Sequence, residues 1–179
     1  MINKKFQLKP YKESDLQVHL QAEFLLKDKI IELRFELRDP HCKVNLEQLN
    51  VAKRVIGLWE KTCFEFFILN TKSKDYYEFN FSPSSDWNCF YFSKKGDPLN
   101  EYTQIESIET EALKTNESYQ LTVKLHADSF HNEFLKPEFM KIALTSVLKS
   151  NEELSYWAIS HQDLRPNFHH FDSFVKLKP

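Results

Sequence analysis

Apolar residues recur at every second position along much of this chain. Leu16, Val18, Leu20, Ala22, Phe24 and Leu26 alternate with mostly polar neighbours, and Ile31, Leu33, Phe35 and Leu37 repeat the pattern in "IELRFELR" before the turn signal "RDPH". Two such runs separated by "KDK" predict a hairpin of antiparallel strands. "TCFEFFIL", "DYYEFNFS" and "WNCFYFS" predict three more strands, divided by "NTKSK" and "SPSSD". "YTQIESIETEAL", "SYQLTVKLH", "FMKIALTSVLK", "SYWAIS" and "DSFVKL" complete the series. The segment "NLEQLNVAKRVIGLW", with Asn45 as a cap, fits a short helix or a loop equally, because its apolar residues form no clean stripe. "ADSFHNEFLKP" predicts a second short helical turn. Short strands at intervals of about 8–12 residues, with no repeat, linker or low-complexity tract, predict one all-β domain over 1–179: an antiparallel β-sandwich with one or two short helices.

Strand parity then sorts the side chains, since neighbours along a strand point to opposite faces. In "YYEFNFS" it puts Tyr77, Phe79 and Phe81 on a core face and Tyr76, Glu78, Asn80 and Ser82 on the other. In "TCFEFFI", Phe64, Phe66 and Ile68 oppose Cys63, Glu65, Phe67 and Leu69. In "WNCFYFS", Asn88, Phe90 and Phe92 oppose Trp87, Cys89 and Tyr91. If the strands are neighbours, the second face is expected to mix Glu65, Glu78 and Asn80 with Phe67, Trp87 and Tyr91. A solvent face would carry fewer rings, and a plain core would carry no unpaired carboxylate. Rings that cover C–H faces and fixed groups that take hydroxyls suit a sugar-like ligand. Pairing of the same groups with Arg54, Lys61 or Arg165 beneath loops would explain them as well.

Composition narrows the classes. The 179 residues carry a formal charge of −2 with basic residues scattered, which gives no electrostatic footprint for nucleic acid. Sixteen Phe against two Gly favour strands and leave nothing for a glycine-rich phosphate cradle. No apolar run is long enough for a signal peptide or a bilayer span, so a cytoplasmic protein with no membrane partner is expected. Cys42, Cys63 and Cys89 are odd in number and widely spaced, which predicts buried free thiols rather than a disulfide framework or a zinc site.

The strings "LWEKTCFEFFI", "YYEFNFSPSSDW", "YWAISH" and "PNFHHFDSF" resemble the DOMON-like proteins related to family 9 carbohydrate-binding modules, over roughly Leu58 to Phe174. The resemblance implies a jelly-roll-type β-sandwich with a ligand cleft on one sheet and no catalysis. It implies a stacking role for Trp59 and a hydroxyl-binding role for Glu65, which reproduce the family's six-residue spacing. It also implies a second aromatic near the C-terminus with an Asn close by. Asn167, Phe168, His169 and His170 are the candidates there, and because "RPNFHHFDSF" lacks a Trp, Trp87 or Trp157 would have to substitute.

The expectation is a non-catalytic module for a saccharide or similar polyol. Trp59 and Trp87 stack on the ligand, Glu65, Glu78 and Asn80 hold hydroxyls, and Arg165 and His169 come from the last long loop, all lining one open cleft. Haem binding, as in some members of the wider superfamily, is the alternative and would draw on Met140, His161, His169 and His170. A hydrolase using Glu65 and Glu78 as a carboxylate pair comes third. Its serines in "SPSSDW" lack a nucleophile elbow and read better as turn chemistry. No cofactor is predicted. Calcium would need carboxylates that cluster, and Asp39, Asp75, Asp86, Asp97 and Asp172 are isolated in sequence. A protein partner is a further alternative, since the cleft of such a module can be reused and an edge strand left open for pairing.

Overall fold

The structure, a computed structural model, describes residues 1–13, 15–130, 136–151 and 153–177. Its strands in chain order are β1 (Ile2–Gln7), β2 (Lys9–Pro10), β3 (His19–Lys27), β4 (Ile30–Arg38), β5 (Cys63–Asn70), β6 (Tyr76–Phe81), β7 (Trp87–Phe92), β8 (Glu109–Lys114), β9 (Ser118–His126), β10 (Met140–Ser150), β11 (Glu153–Ala158) and β12 (Val175–Lys176). They form two antiparallel sheets. One has the order β1-β3-β4-β9-β8, the other β2-β11-β10-β5-β6-β7, with β12 also paired to β10. No helix among the described residues is long and apolar enough to cross a membrane.

The β3–β4 hairpin closes where it is predicted. Lys27 pairs with Ile30 across the two-residue loop Asp28–Lys29, and both loop residues are left-handed at φ 49° and 64°. Paired left-handed residues give the turn whose twist matches that of the flanking strands. The segment 45–59 resolves as a loop, ending in a single 3-10 turn at Leu58–Glu60. A helix there would bury little, because Leu49, Val51 and Ile56 are all exposed. Its backbone instead bonds to β7, with Val55 N–H donating to Trp87 O and Trp87 N–H to Lys53 O. The predicted strand "YTQIESIETEAL" shortens to β8, and "DSFVKL" begins as a 3-10 turn at Phe171–Ser173. The second short helix appears as a 3-10 turn at Ala127–Ser129, and its continuation over 131–135 lies outside the described residues. Cys63 and Cys89 are buried free thiols, whereas Cys42 is exposed, because its left-handed turn at φ 50° stands at the surface.

The core lies between the sheets. Phe24 meets Phe66 at 5.9 Å between ring centroids, Phe35 meets Phe64 at 5.2 Å, and Tyr119 stacks on Phe64 at 5.8 Å. The two sheets differ in their outer faces. In β3, β4 and β9, buried residues alternate with exposed or half-buried ones, the signature of a sheet wet on one side. In β5 and β6 every residue is buried. The outer face of the second sheet is therefore covered, and what covers it defines the site.

Candidate functional site

Register brings the polar residues of that outer face into one strip. Glu65 on β5 stands directly opposite Asn80 on β6 and Thr145 on β10, and Asn80 stands opposite Asn88 on β7. In the next row Glu78 is flanked by Phe67 on β5 and Phe90 on β7. Glu65 and Glu78 are thus diagonal neighbours on adjacent strands, a placement that separates their Cβ atoms by roughly 7 Å or somewhat less. Both are buried, as is Asn80.

The hydrogen bonds within the strip are unequal. Thr145 Oγ1 donates to Glu65 Oε2 at 2.9 Å, Asn80 Nδ2 donates to Glu78 Oε1 at 2.8 Å, and the Cys63 thiol points at Asn80 Oδ1 at 3.6 Å. Glu78 Oε2 is buried without a hydrogen-bond partner. His169 Nε2 lies 3.6 Å from it, while the His169 Nδ1 is 2.9 Å from the Tyr76 hydroxyl. Burial pushes the Glu78 carboxyl up to about 7, against the pull of Asn80. It pushes Glu65 well above the usual carboxylate range, reinforced by the negative charge of Glu78 and only partly opposed by Thr145. Burial likewise lowers His169, helped by the positive charge of Lys95. A neutral imidazole therefore faces the free carboxylate oxygen.

Two segments form the roof. Gly57, left-handed at φ 83°, opens the 3-10 turn that carries Trp59, a conformation only glycine takes without strain. Trp59 presents its edge to Phe90 at 5.9 Å. From the C-terminal side, Phe168, Phe171 and Phe174 pack over Phe67, Tyr76, Phe92 and Ala143. The His169 ring stands edge-on to Phe67, Phe92 and Tyr76. His169 keeps 40% of its side chain exposed and Glu78 only 7%, so the imidazole is the wet rim of a dry floor.

The residues expected to line the cleft divide into two groups. Trp59, Glu65, Glu78, Asn80 and His169 share this face. Trp87 does not: it is paired with Phe81, is 3% exposed and belongs to the core between the sheets, and Tyr91 faces the same way opposite Tyr77. Trp157 is in that core too, so neither indole substitutes for the missing C-terminal Trp. Arg165 is exposed on the loop beside Asp163. The floor is buried, not open, because the aromatic run 168–174 folds back across it. Thr145 joins the strip as well, and its alternation with Ala143 and Val147 in the sequence places it on the outer side of its strand.

The groups weighed for haem are spread apart. Met140 packs in the core between the sheets, His161 Nε2 lies 2.9 Å from Lys9 O, and His169 is on the outer face. Among the described residues no three His, Cys, Asp or Glu gather to hold a metal. A groove of about 1070 Å³ opens at the edge formed by Tyr11, Asp15, Lys43, Asn151 and Tyr156, and neither buried carboxylate lines it. It is a surface furrow separate from the strip.

Trp87 has a different partner. The Arg54 guanidinium sits 4.3 Å over its ring and donates to Asn88 Oδ1 at 2.8 Å and to Ile105 O. Arg54→Ala is expected to lower stability by about 2 kcal/mol. Urea unfolding measures this, and a red-shifted tryptophan emission in the folded variant would report the uncovered indole.

No protein-family model and no curated protein matches the sequence. Solved structures with a similar fold include the following three. A candidate carbohydrate-binding protein from Bacteroides uniformis superposes with a TM-score of 0.65 at 12% identity, over 94% of this chain and 84% of that one. A family 9 carbohydrate-binding module from Caldicellulosiruptor kristjanssonii in complex with glucose gives 0.53 at 11% identity, over 84% and 70%. The family 9 module from the same organism with cellotriose gives 0.55 at 12% identity, over 87% and 72%. At such identities the likeness is one of architecture: the chain has the two-sheet antiparallel sandwich of carbohydrate-binding modules.

Proposed function

We propose that this protein binds a saccharide or similar polyol, without catalysis, on the outer face of its larger sheet. Trp59 covers the ligand, and Glu65, Glu78 and Asn80 hold its polar groups. The observation that carries the reading is the unpartnered Glu78 Oε2, buried in a polar strip walled by Phe67, Phe90 and Trp59. A buried acceptor without a donor is costly unless something brings one, and a hydroxyl-bearing ligand does. The sugars held by the two similar family 9 modules support the choice of ligand, as does the six-residue spacing of Trp59 and Glu65. Kinship with the DOMON-like proteins belongs to the same proposal and rests on the strings that carry the resemblance.

Binding requires the Phe168–His169 edge of the roof to yield, since it closes over Glu78. Of the three Trp, Trp87 and Trp157 are sealed in the core and Trp59 alone stands over the strip. Titration with glucose and soluble glucan oligosaccharides is therefore expected to change the emission of Trp59. Trp59→Ala should weaken binding at least about tenfold, as loss of a stacking ring does. No heat of binding and no fluorescence response across neutral and charged saccharides would remove the reading.

A further inference from the structure

We propose that the ligand of the Glu65–Glu78 strip carries a protonated amine, as an amino sugar does, and that the ammonium seats between the two carboxylates. The inference rests on the reading of this face as a saccharide site and names the class of ligand it takes. Two buried carboxylates lie diagonally across adjacent strands, and one oxygen of the pair has no hydrogen-bond partner, with His169 Nε2 3.6 Å away. Among the described residues, no Lys or Arg forms an ion pair with either. Three described cations in this part of the fold have other contacts. Lys141 donates to Phe171 O at 3.4 Å, Lys95 lies 5.9 Å over the Phe171 ring, and Arg54 is held by Asn88 and Ile105 O beside Trp87.

Among the described residues, the groups recorded in contact with the pair or beside it supply no positive charge. From β10 comes the Thr145 hydroxyl, from β5 the Cys63 thiol, and from β6 Asn80 and the Tyr76 phenol. From the roof comes His169, a partly exposed imidazole whose pKa is lowered by partial desolvation and by the positive charge of Lys95. A neutral sugar would offer hydroxyl donors to the pair but nothing to compensate the one negative charge it takes on when its first proton leaves, in an apolar box. An ammonium offers three donors and cancels the charge. Its desolvated surface would also meet Phe67 and Phe90, which flank Glu78 on either side, and an aromatic face attracts a cation. Carboxylate floor, ring walls and the lack of a resident cation among the described residues fit the same ligand class.

Isothermal titration of the full chain at neutral pH with D-glucosamine, D-glucose, N-acetyl-D-glucosamine and benzylamine separates the two readings. Glucosamine is expected to bind at least about tenfold more tightly than glucose or its own N-acetyl form, the scale of one charge-assisted contact. In Glu78→Gln that preference should disappear while the thermal unfolding transition remains. Glucose binding as tightly as glucosamine would overturn the amine inference and leave the saccharide reading standing. Benzylamine binding where every sugar fails would uphold the amine inference and overturn the saccharide reading. Silence from all four would overturn both.

Discussion

Phe66→Ala is expected to destabilise the protein by about 3–5 kcal/mol, the usual range for deleting a fully buried ring. Phe66 sits on β5, the strand between β10 and β6, and has no solvent exposure. Its ring lies 5.9 Å from Phe24 on the facing sheet and 5.9 Å from Phe79 on the neighbouring strand. It is therefore a bridge between the sheets as well as a filler within one. The cavity left by Ala would be lined on all sides by strands whose backbone ladders resist collapse, which places the loss toward the upper end. Urea unfolding should show the midpoint falling with the slope unchanged. Leu164→Ala, at a residue 99% exposed, is the matched control and should stay within about 0.5 kcal/mol. A loss under about 1 kcal/mol for Phe66→Ala would mean that the inner faces do not form one continuous core.

What the sequence made legible follows from period two. Alternation suffices to identify the β3–β4 hairpin, and its parity sorts Phe64, Phe66, Tyr77, Phe79 and Phe81 onto the core face correctly. Parity also separates Trp87 from Asn88. It does not say which of them shares a side with Glu78, because that depends on the register between β6 and β7. The turn 82–86 sets that register, with Ser82 and Asp86 closing it through the Ser82 N–H to Asp86 O bond and Ser85 at φ 80°. Phe81 is thereby brought opposite Trp87, and the indole goes to the core. Order within a sheet was equally beyond reach: β10 pairs with β5 across a sequence separation that leaves no local trace. The burial of the carboxylates is the clearest case. Glu65 and Glu78 look like the floor of a wet groove until Phe168, Phe171 and Phe174, about a hundred residues later, fold over them. Local pattern marks a face; the segment that covers it is a tertiary fact.

That covering is what makes Glu78 an opponent of folding at neutral pH, and Glu78→Gln should reveal it. Burial pushes the carboxyl from its ordinary 4.5 up to about 7 in the folded protein. Between these values the native state holds a proton that the unfolded chain has released, so stability falls as pH rises. The favourable contribution is fully present below pH 4.5 and is lost on passing through about 7. The shift corresponds to a penalty on the order of 3 kcal/mol above that point. Glu65 is shifted the same way, and ionised Glu78 pushes it further, so the pair releases one proton first and keeps the second. Glutamine keeps the acceptor that Asn80 uses and carries no charge. The variant should therefore match the wild type near pH 4 and exceed it by about 2–3 kcal/mol near pH 8. Taking the difference between variant and wild type across the pH range isolates this group from the exposed carboxylates common to both. His169 decides the alternative: if it became protonated as Glu78 ionised, the two would pair, the wild-type profile would stay flat, and the variant would lose stability at high pH. A gain confined to the alkaline side would establish that the folded protein holds an uncompensated carboxylate over its aromatic floor.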